Sequence, residues 1–147
     1  MVEVRRSFTV QLPVDAVVEY LTDFSRAVEW DPGTQECVRT DASGGPVTTG
    51  STWHNVSEFR GRRTELTYRL ARKEADRLVF SGSNKTAEST DDLSFEADGD
   101  GTRITYLATI RFKGLARLAD PFLRREFERL GDEITHSMPK AILSHQG

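Results

Sequence analysis

Residues 101–142 read GTRITYLATIRFKGLARLADPFLRREFERLGDEITHSMPKAI, and the period of the apolar residues changes once along them. From 102 to 113, Ile104, Tyr106, Ala108, Ile110 and Phe112 fall on one side. Arg103, Thr105, Thr109 and Arg111 fall on the other, with Leu107 among them. That alternation predicts a half-buried strand. Beyond Asp120-Pro121 the apolar positions are Phe122, Leu123, Phe127, Leu130, Ile134, Met138, Ala141 and Ile142, a spacing near the helical period. An amphipathic helix of about six turns is predicted, with Asp120 as N-cap, Pro121 in the first turn and Pro139 as a kink point in the last.

Upstream the strand pattern repeats. Strands are predicted over 34–41, 50–60, 62–73, 76–83 and 85–97, ahead of 102–113. Turn signals separate them: Ser43-Gly44-Gly45-Pro46, Gly61, Glu74-Ala75-Asp76, Asn84-Lys85 and Asp98-Gly99-Asp100-Gly101. Short links of this kind join sequential antiparallel strands. At the start, residues 2–11 alternate, with Val4, Phe8 and Val10 on the apolar face and Arg6 as the exception there. Pro13 opens a first helix through Val14, Val17, Val18 and Leu21, and Asp23 caps a second over 24–29 that Asp31-Pro32-Gly33 stops.

These elements set the class: α+β, a seven-stranded antiparallel sheet, two short helices between strands 1 and 2, and one long C-terminal helix. The 147 residues suit one domain, 1–147. Seven strands span roughly 30 Å, whereas a helix is only about 10–12 Å across. The sheet must therefore curl around the helix, and curling leaves a gap on its concave side. Small or polar residues (Asn55, Ser57, Gly82, Ser89, Asp91, Ala108) are interleaved among the large inward ones, so a partly open cavity is expected.

Composition narrows the function classes. The net charge is −3, with no basic footprint for nucleic acid. No apolar run approaches the roughly 18 residues of a spanning helix, which leaves no expectation of integral membrane association. Cys37 is the single cysteine, so no intrachain disulfide and no cysteine-built zinc site can form. The first residues alternate as a strand rather than forming an apolar leader, and a soluble cytoplasmic protein is expected. Glu96-Ala-Asp98-Gly-Asp100-Gly101 copies the start of a calcium loop, but its twelfth position is Leu107 where a bidentate Glu is needed. It reads as a hairpin turn, and Asn84-Lys85-Thr86 likewise. No metal and no cofactor are expected.

Several segments carry a likeness to a known family. Phe8-Thr-Val-Gln-Leu-Pro-Val14 leads into Val17-Val-Glu-Tyr-Leu-Thr-Asp-Phe24, followed by Trp30-Asp-Pro-Gly-Thr34, Gly50-Ser-Thr-Trp53, Gly61-Arg62, Gly101-Thr-Arg-Ile-Thr-Tyr106 and the closing helix. In this order and spacing the chain resembles the START-like, or Bet v 1-like, helix-grip superfamily. Within it the likeness is to the short bacterial single-domain branch of polyketide cyclase/dehydrase and lipid-transport type. The resemblance implies a deep pocket for a small apolar or amphipathic molecule, without fixing one activity.

The residues expected to line such a pocket come from every element. Trp30, Trp53, Phe59, Phe80, Phe95, Phe122 and Phe127 would be its aromatic walls. Leu66, Ala108, Ile110, Ile134 and Met138 would complete the apolar lining, and Asn55, Tyr68, Asp91 and Tyr106 would orient a ligand. A carboxylate on a concave face is costly unless paired, hydrogen-bonded or wet. Asp91 is accordingly expected to meet Arg6, to touch a polar ligand group, or to reach water at a bulge. His54 points outward by parity with Trp53 and Asn55, and enters the cavity only if its strand slips by one residue. His136 and His145 read as surface residues. Three functions fit: a carrier or sensor for a small hydrophobic molecule, acting as a monomer or homodimer; a polyketide aromatase/cyclase- or dehydratase-type enzyme moving protons with Asp91, Tyr106, Tyr68 or His54; and a protein-interaction module with a collapsed cavity.

Overall fold

The computed structural model describes residues 1–41, 44–59 and 61–146, with the side chains of residues 59 and 119–122 outside that description. Its strands are β1 (Val2–Val10), β2 (Thr34–Arg39), β3 (Thr52–Phe59), β4 (Arg62–Glu74), β5 (Arg77–Ser83), β6 (Ala87–Asp98) and β7 (Gly101–Phe112). They form one antiparallel sheet in the order β1-β7-β6-β5-β4-β3-β2. The meander is therefore sequential from β2 to β7, and β1 closes on β7. Register shifts between Thr34 and Glu36 and between Leu70 and Arg72 interrupt the ladders where the sheet bends. The helices are α1 (Val14–Thr22), α2 (Ala27–Trp30) and α3 (Asp120–Gln146), with 3₁₀ turns at Phe24–Arg26 and Gly114–Ala119.

Local chemistry explains where the elements stop. The second short helix, expected over 24–29, divides into a 3₁₀ turn and α2. The Asp23 carboxylate accepts from the Ser25 amide and hydroxyl at 3.0 and 2.8 Å, which tightens the first turn. β6 begins at Ala87 rather than Lys85, because the Asn84 side chain accepts from the Thr86 and Ala87 amides, each at 2.8 Å. Gly99, at φ 59°, makes the β6–β7 hairpin from the segment that imitated a calcium loop. The side chains expected to start the long helix, at 120 and 121, lie outside the described residues. Pro139 sits inside α3, which runs on to Gln146.

The inner face follows the predicted parity. On β6, Ala87, Ser89, Asp91, Leu93 and Phe95 are all buried, as are Ile104 and Tyr106 on β7. α3 crosses this concave face and packs chiefly on β1. The close approach depends on Gly131, where a Cβ would lie 2.5 Å from Val4 Cγ1. Arg6, the charged residue on the inner face of β1, bridges sheet to helix. Its Nε donates to Asp132 Oδ1 at 2.9 Å, and its Nη2 donates to Glu128 Oε2 at 3.1 Å. Among the described residues, no helix is long and apolar enough to cross a membrane.

Candidate functional site

The C-terminal half of α3 is anchored by Ile134, Met138 and Ile142, each 3% exposed or less. Beneath it an aromatic cluster closes one end of the interior. Phe24 is its hub, with ring centroids 4.6 Å from Tyr68, 4.5 Å from Phe80, 6.0 Å from Trp53 and 6.1 Å from Trp30. Trp53 is fixed further by donating its indole N–H to Asp23 Oδ1 at 3.1 Å. Trp30, Trp53, Phe80 and Met138, expected to wall a pocket, are instead solid core below it. The sequence marked them as inward but could not say at which end of the sheet the space closes. Phe95 belongs to the same core, and Asn55 is engaged by Thr34 and Ser57 rather than facing open space.

Toward the other end the interior widens into a cavity. A cavity of about 740 Å³ lies between β1, β7, β6, β4 and the N-terminal half of α3. Such a volume falls within the roughly 300–1,000 Å³ of small-molecule sites. Leu66, Tyr68, Asp91, Tyr106, Ala108, Ile110, Phe127 and Ile134 are among its lining residues. The exposed Glu58, Arg62 and Thr86 mark its mouth. Phe59 and Phe122 have side chains outside the described residues. His54 is outside the cavity, its Nε2 2.8 Å from Glu65 Oε1 on the convex face, so the one-residue slip does not occur. His136 is exposed, and His145 lies against the Tyr20 ring at 5.1 Å near the C-terminus.

Two polar rows cross the cavity floor. In the first, Tyr68 on β4 pairs with Gly82 on β5, which pairs with Ser89 on β6. The Tyr68 ring lies flat over Gly82, where a Cβ would come within 2.7 Å of it. The phenol thus crosses an intervening strand and donates to Ser89 Oγ at 3.2 Å. In the second, Asp91 sits between Phe80 and Ala108. Tyr106 reaches diagonally along β7 and donates to Asp91 Oδ1 at 2.9 Å. The expected Arg6–Asp91 pair is absent because Arg6 turns toward the acids of α3, which carry solvent-exposed surface and cost less to pair. Nor does Asp91 reach bulk water at a bulge; it is 7% exposed.

A second carboxyl, missed in the sequence, joins the lining. Asp31 follows α2, accepts from the Gly33 amide at 2.9 Å and accepts from the Thr34 hydroxyl at 2.9 Å. Burial and the charge of Glu133 raise its pKa, against the two hydrogen bonds. Asp91 is pushed up to about 7 by burial first and by Asp31 second, although the Tyr106 bond favours its ionised form. Burial and the neighbouring acids hold both Tyr68 and Tyr106 well above the usual phenol range. The floor therefore carries two carboxyls and two neutral phenols, and one of the carboxyls is poised between protonated and ionised at neutral pH. Among the described residues, no group of three or more His, Cys, Asp or Glu is placed to hold a metal ion.

Residues 1–141 match the model of a family described as polyketide cyclase/dehydrase and lipid transport. Among solved structures the fold is similar to that of TTHA0849 from Thermus thermophilus, at 14% identity and TM-score 0.78 over 99% of each chain. A START superfamily protein from Mycobacterium smegmatis gives 10% identity and TM-score 0.78, over 97% of this chain and 98% of that one. The Zhui aromatase/cyclase from Streptomyces sp. R1128 gives 14% identity and TM-score 0.73, over 97% of this chain and 92% of the other. No curated protein sequence matches the chain. At these identities the structural likenesses establish a shared fold.

Proposed function

The chain belongs to the polyketide cyclase/dehydrase and lipid transport family, and from that premise we propose that it is a cytoplasmic carrier or sensor for a small amphipathic molecule. The observation that carries this reading is the cavity of about 740 Å³ between sheet and helix. Its walls are mainly apolar and supply affinity through burial, while the polar rows at its floor supply orientation. A second reading, an aromatase/cyclase- or dehydratase-type enzyme, is favoured by Asp91, which still holds a proton near neutral pH beside Tyr106. The carrier is preferred because no His or Lys is among the described lining residues, leaving little acid–base machinery.

The test places bulk in the cavity. Ala108 lines its wall directly opposite Asp91 in the β6–β7 register, and it can be changed to Phe. Wild-type protein should bind the neutral dye Nile red, and Ala108→Phe should weaken that binding by about tenfold or more without lowering Tm. Native mass spectrometry of gently purified protein should also show a bound small molecule, released with its mass unaltered if the protein is a carrier. Nile red binding unaffected by Ala108→Phe would overturn the reading.

A further inference from the structure

The chemistry of the cavity floor restricts what can be seated on it. Of the hydroxyls in the lining, Tyr68 donates to Ser89, Tyr106 to Asp91, Ser57 to Asn55 and Thr86 to Asn84. The Tyr68 and Tyr106 protons are thus engaged within the floor, which leaves the Ser89 hydroxyl as its donor beside the acceptor oxygens of Asp91 and Asp31. Asp91 Oδ1 accepts from Tyr106, while Oδ2 has no donor among the described residues. No Lys, Arg or His among the described residues bonds to either Asp31 or Asp91. Arg62 is the cation among the described lining residues, and it is exposed at the start of β4. Buried carboxylates ordinarily come with a counter-charge, and here the described residues provide none at the floor.

We propose that the molecule held in this cavity carries a basic nitrogen, whose ammonium group docks on Asp91 and faces Asp31 while its apolar body fills the space toward the mouth. The proposal rests on the small-molecule reading and specifies the ligand class. A primary ammonium has three N–H donors and one positive charge, which suit an acceptor-rich, negatively charged floor. Docking on the ionised form displaces the Asp91 proton to solvent. Affinity for a cation should therefore rise up to about tenfold per pH unit below the Asp91 pKa and level off above it. The titratable groups acting on Asp91 are Asp31 after α2 and Tyr106 on β7, with Tyr68 on β4 feeling Asp91 in turn; Cys37 on β2 acts on Tyr68 and Glu133 on α3 acts on Asp31. Glu58 and Arg62 stand at the mouth.

Three fluorescent probes of nearly equal shape provide the test: 9-(aminomethyl)anthracene, 9-anthracenemethanol and 9-anthracenecarboxylic acid, titrated into wild-type protein at pH 6 and pH 8. The amine should bind about tenfold or more tighter than the alcohol at pH 8, with the acid weakest. Between pH 6 and pH 8 the amine should gain about tenfold while the alcohol stays constant. Asp91→Asn, close to isosteric, should remove the preference of amine over alcohol; should that variant not fold, the wild-type pH series decides alone. Alcohol and amine binding equally, or the acid binding tightest, overturns the charge assignment and leaves the cavity reading standing. Failure of all three probes to bind overturns both.

Discussion

Asp91 sits where an acid is least expected, facing inward on a sheet with the Tyr106 hydroxyl as its hydrogen-bond donor. Its pKa rises from 3.8 to about 7, so between those values the folded protein keeps a proton that the unfolded chain has released. Folding stability should then fall as pH rises through that window, by up to about 1.4 kcal/mol per unit, and level off above it. Asp91→Asn removes the share of the dependence that Asp91 contributes, leaving that of Asp31, whose pKa burial also raises. Urea denaturation should show the variant gaining about 3 kcal/mol on wild type between pH 4.5 and pH 8; parallel behaviour of the two proteins would contradict a buried, proton-holding Asp91. Asp91 was legible because strand parity assigns every second residue to one face. Asp31 was not: Asp-Pro-Gly reads as a turn, and no periodicity reports where a turn side chain points. Its Asx bonds to Gly33 and Thr34 are the kind of local signal that accompanies such residues, but they do not distinguish cavity from solvent.

The helix–sheet contact turns on Gly131. Replacing a mid-helix glycine with alanine ordinarily stabilises by about 1 kcal/mol. Here the new Cβ would lie 2.5 Å from Val4 Cγ1, on a β-branched side chain with little rotamer freedom to yield. Gly131→Ala should instead destabilise by about 1–3 kcal/mol, and Val4→Ala in the same chain should recover part of the loss, as thermal or urea midpoints in a double-mutant cycle would show. A Gly131→Ala protein more stable than wild type would refute the tight contact. The helix itself was legible from its apolar spacing, and so were the strands from their alternation. What the pattern did not carry was the contact between them: a glycine within a helical run reads as a weak point until the opposing Val4 is known. Gly82 is the same case within the sheet, an apparent gap in β5 that the Tyr68 ring occupies.

At the scale of the whole molecule, the strand order and the long helix followed from turn signals and period, and the mismatch between sheet width and helix diameter anticipated an interior gap. Its position along the helix did not follow, because Phe24, the hub of the closed end, belongs to a short 3₁₀ turn with no period to read. That plug closes the cavity at the Phe24 end and gives it the form of a well there. Asp91 lies beside the plug, opposite Phe80, while Thr86 at the other end of the row stands at the rim. A well of this form gauges its contents by length. In a series of straight-chain alcohols, affinity should increase by about 0.8 kcal/mol for each methylene that is buried, then stop increasing once the tail clears the rim. Calorimetry along the series would locate that break, and a tunnel would show none. A chain stopped at a dead end can differ freely from its neighbours in how much of it protrudes, but not in the breadth of the end that goes in first.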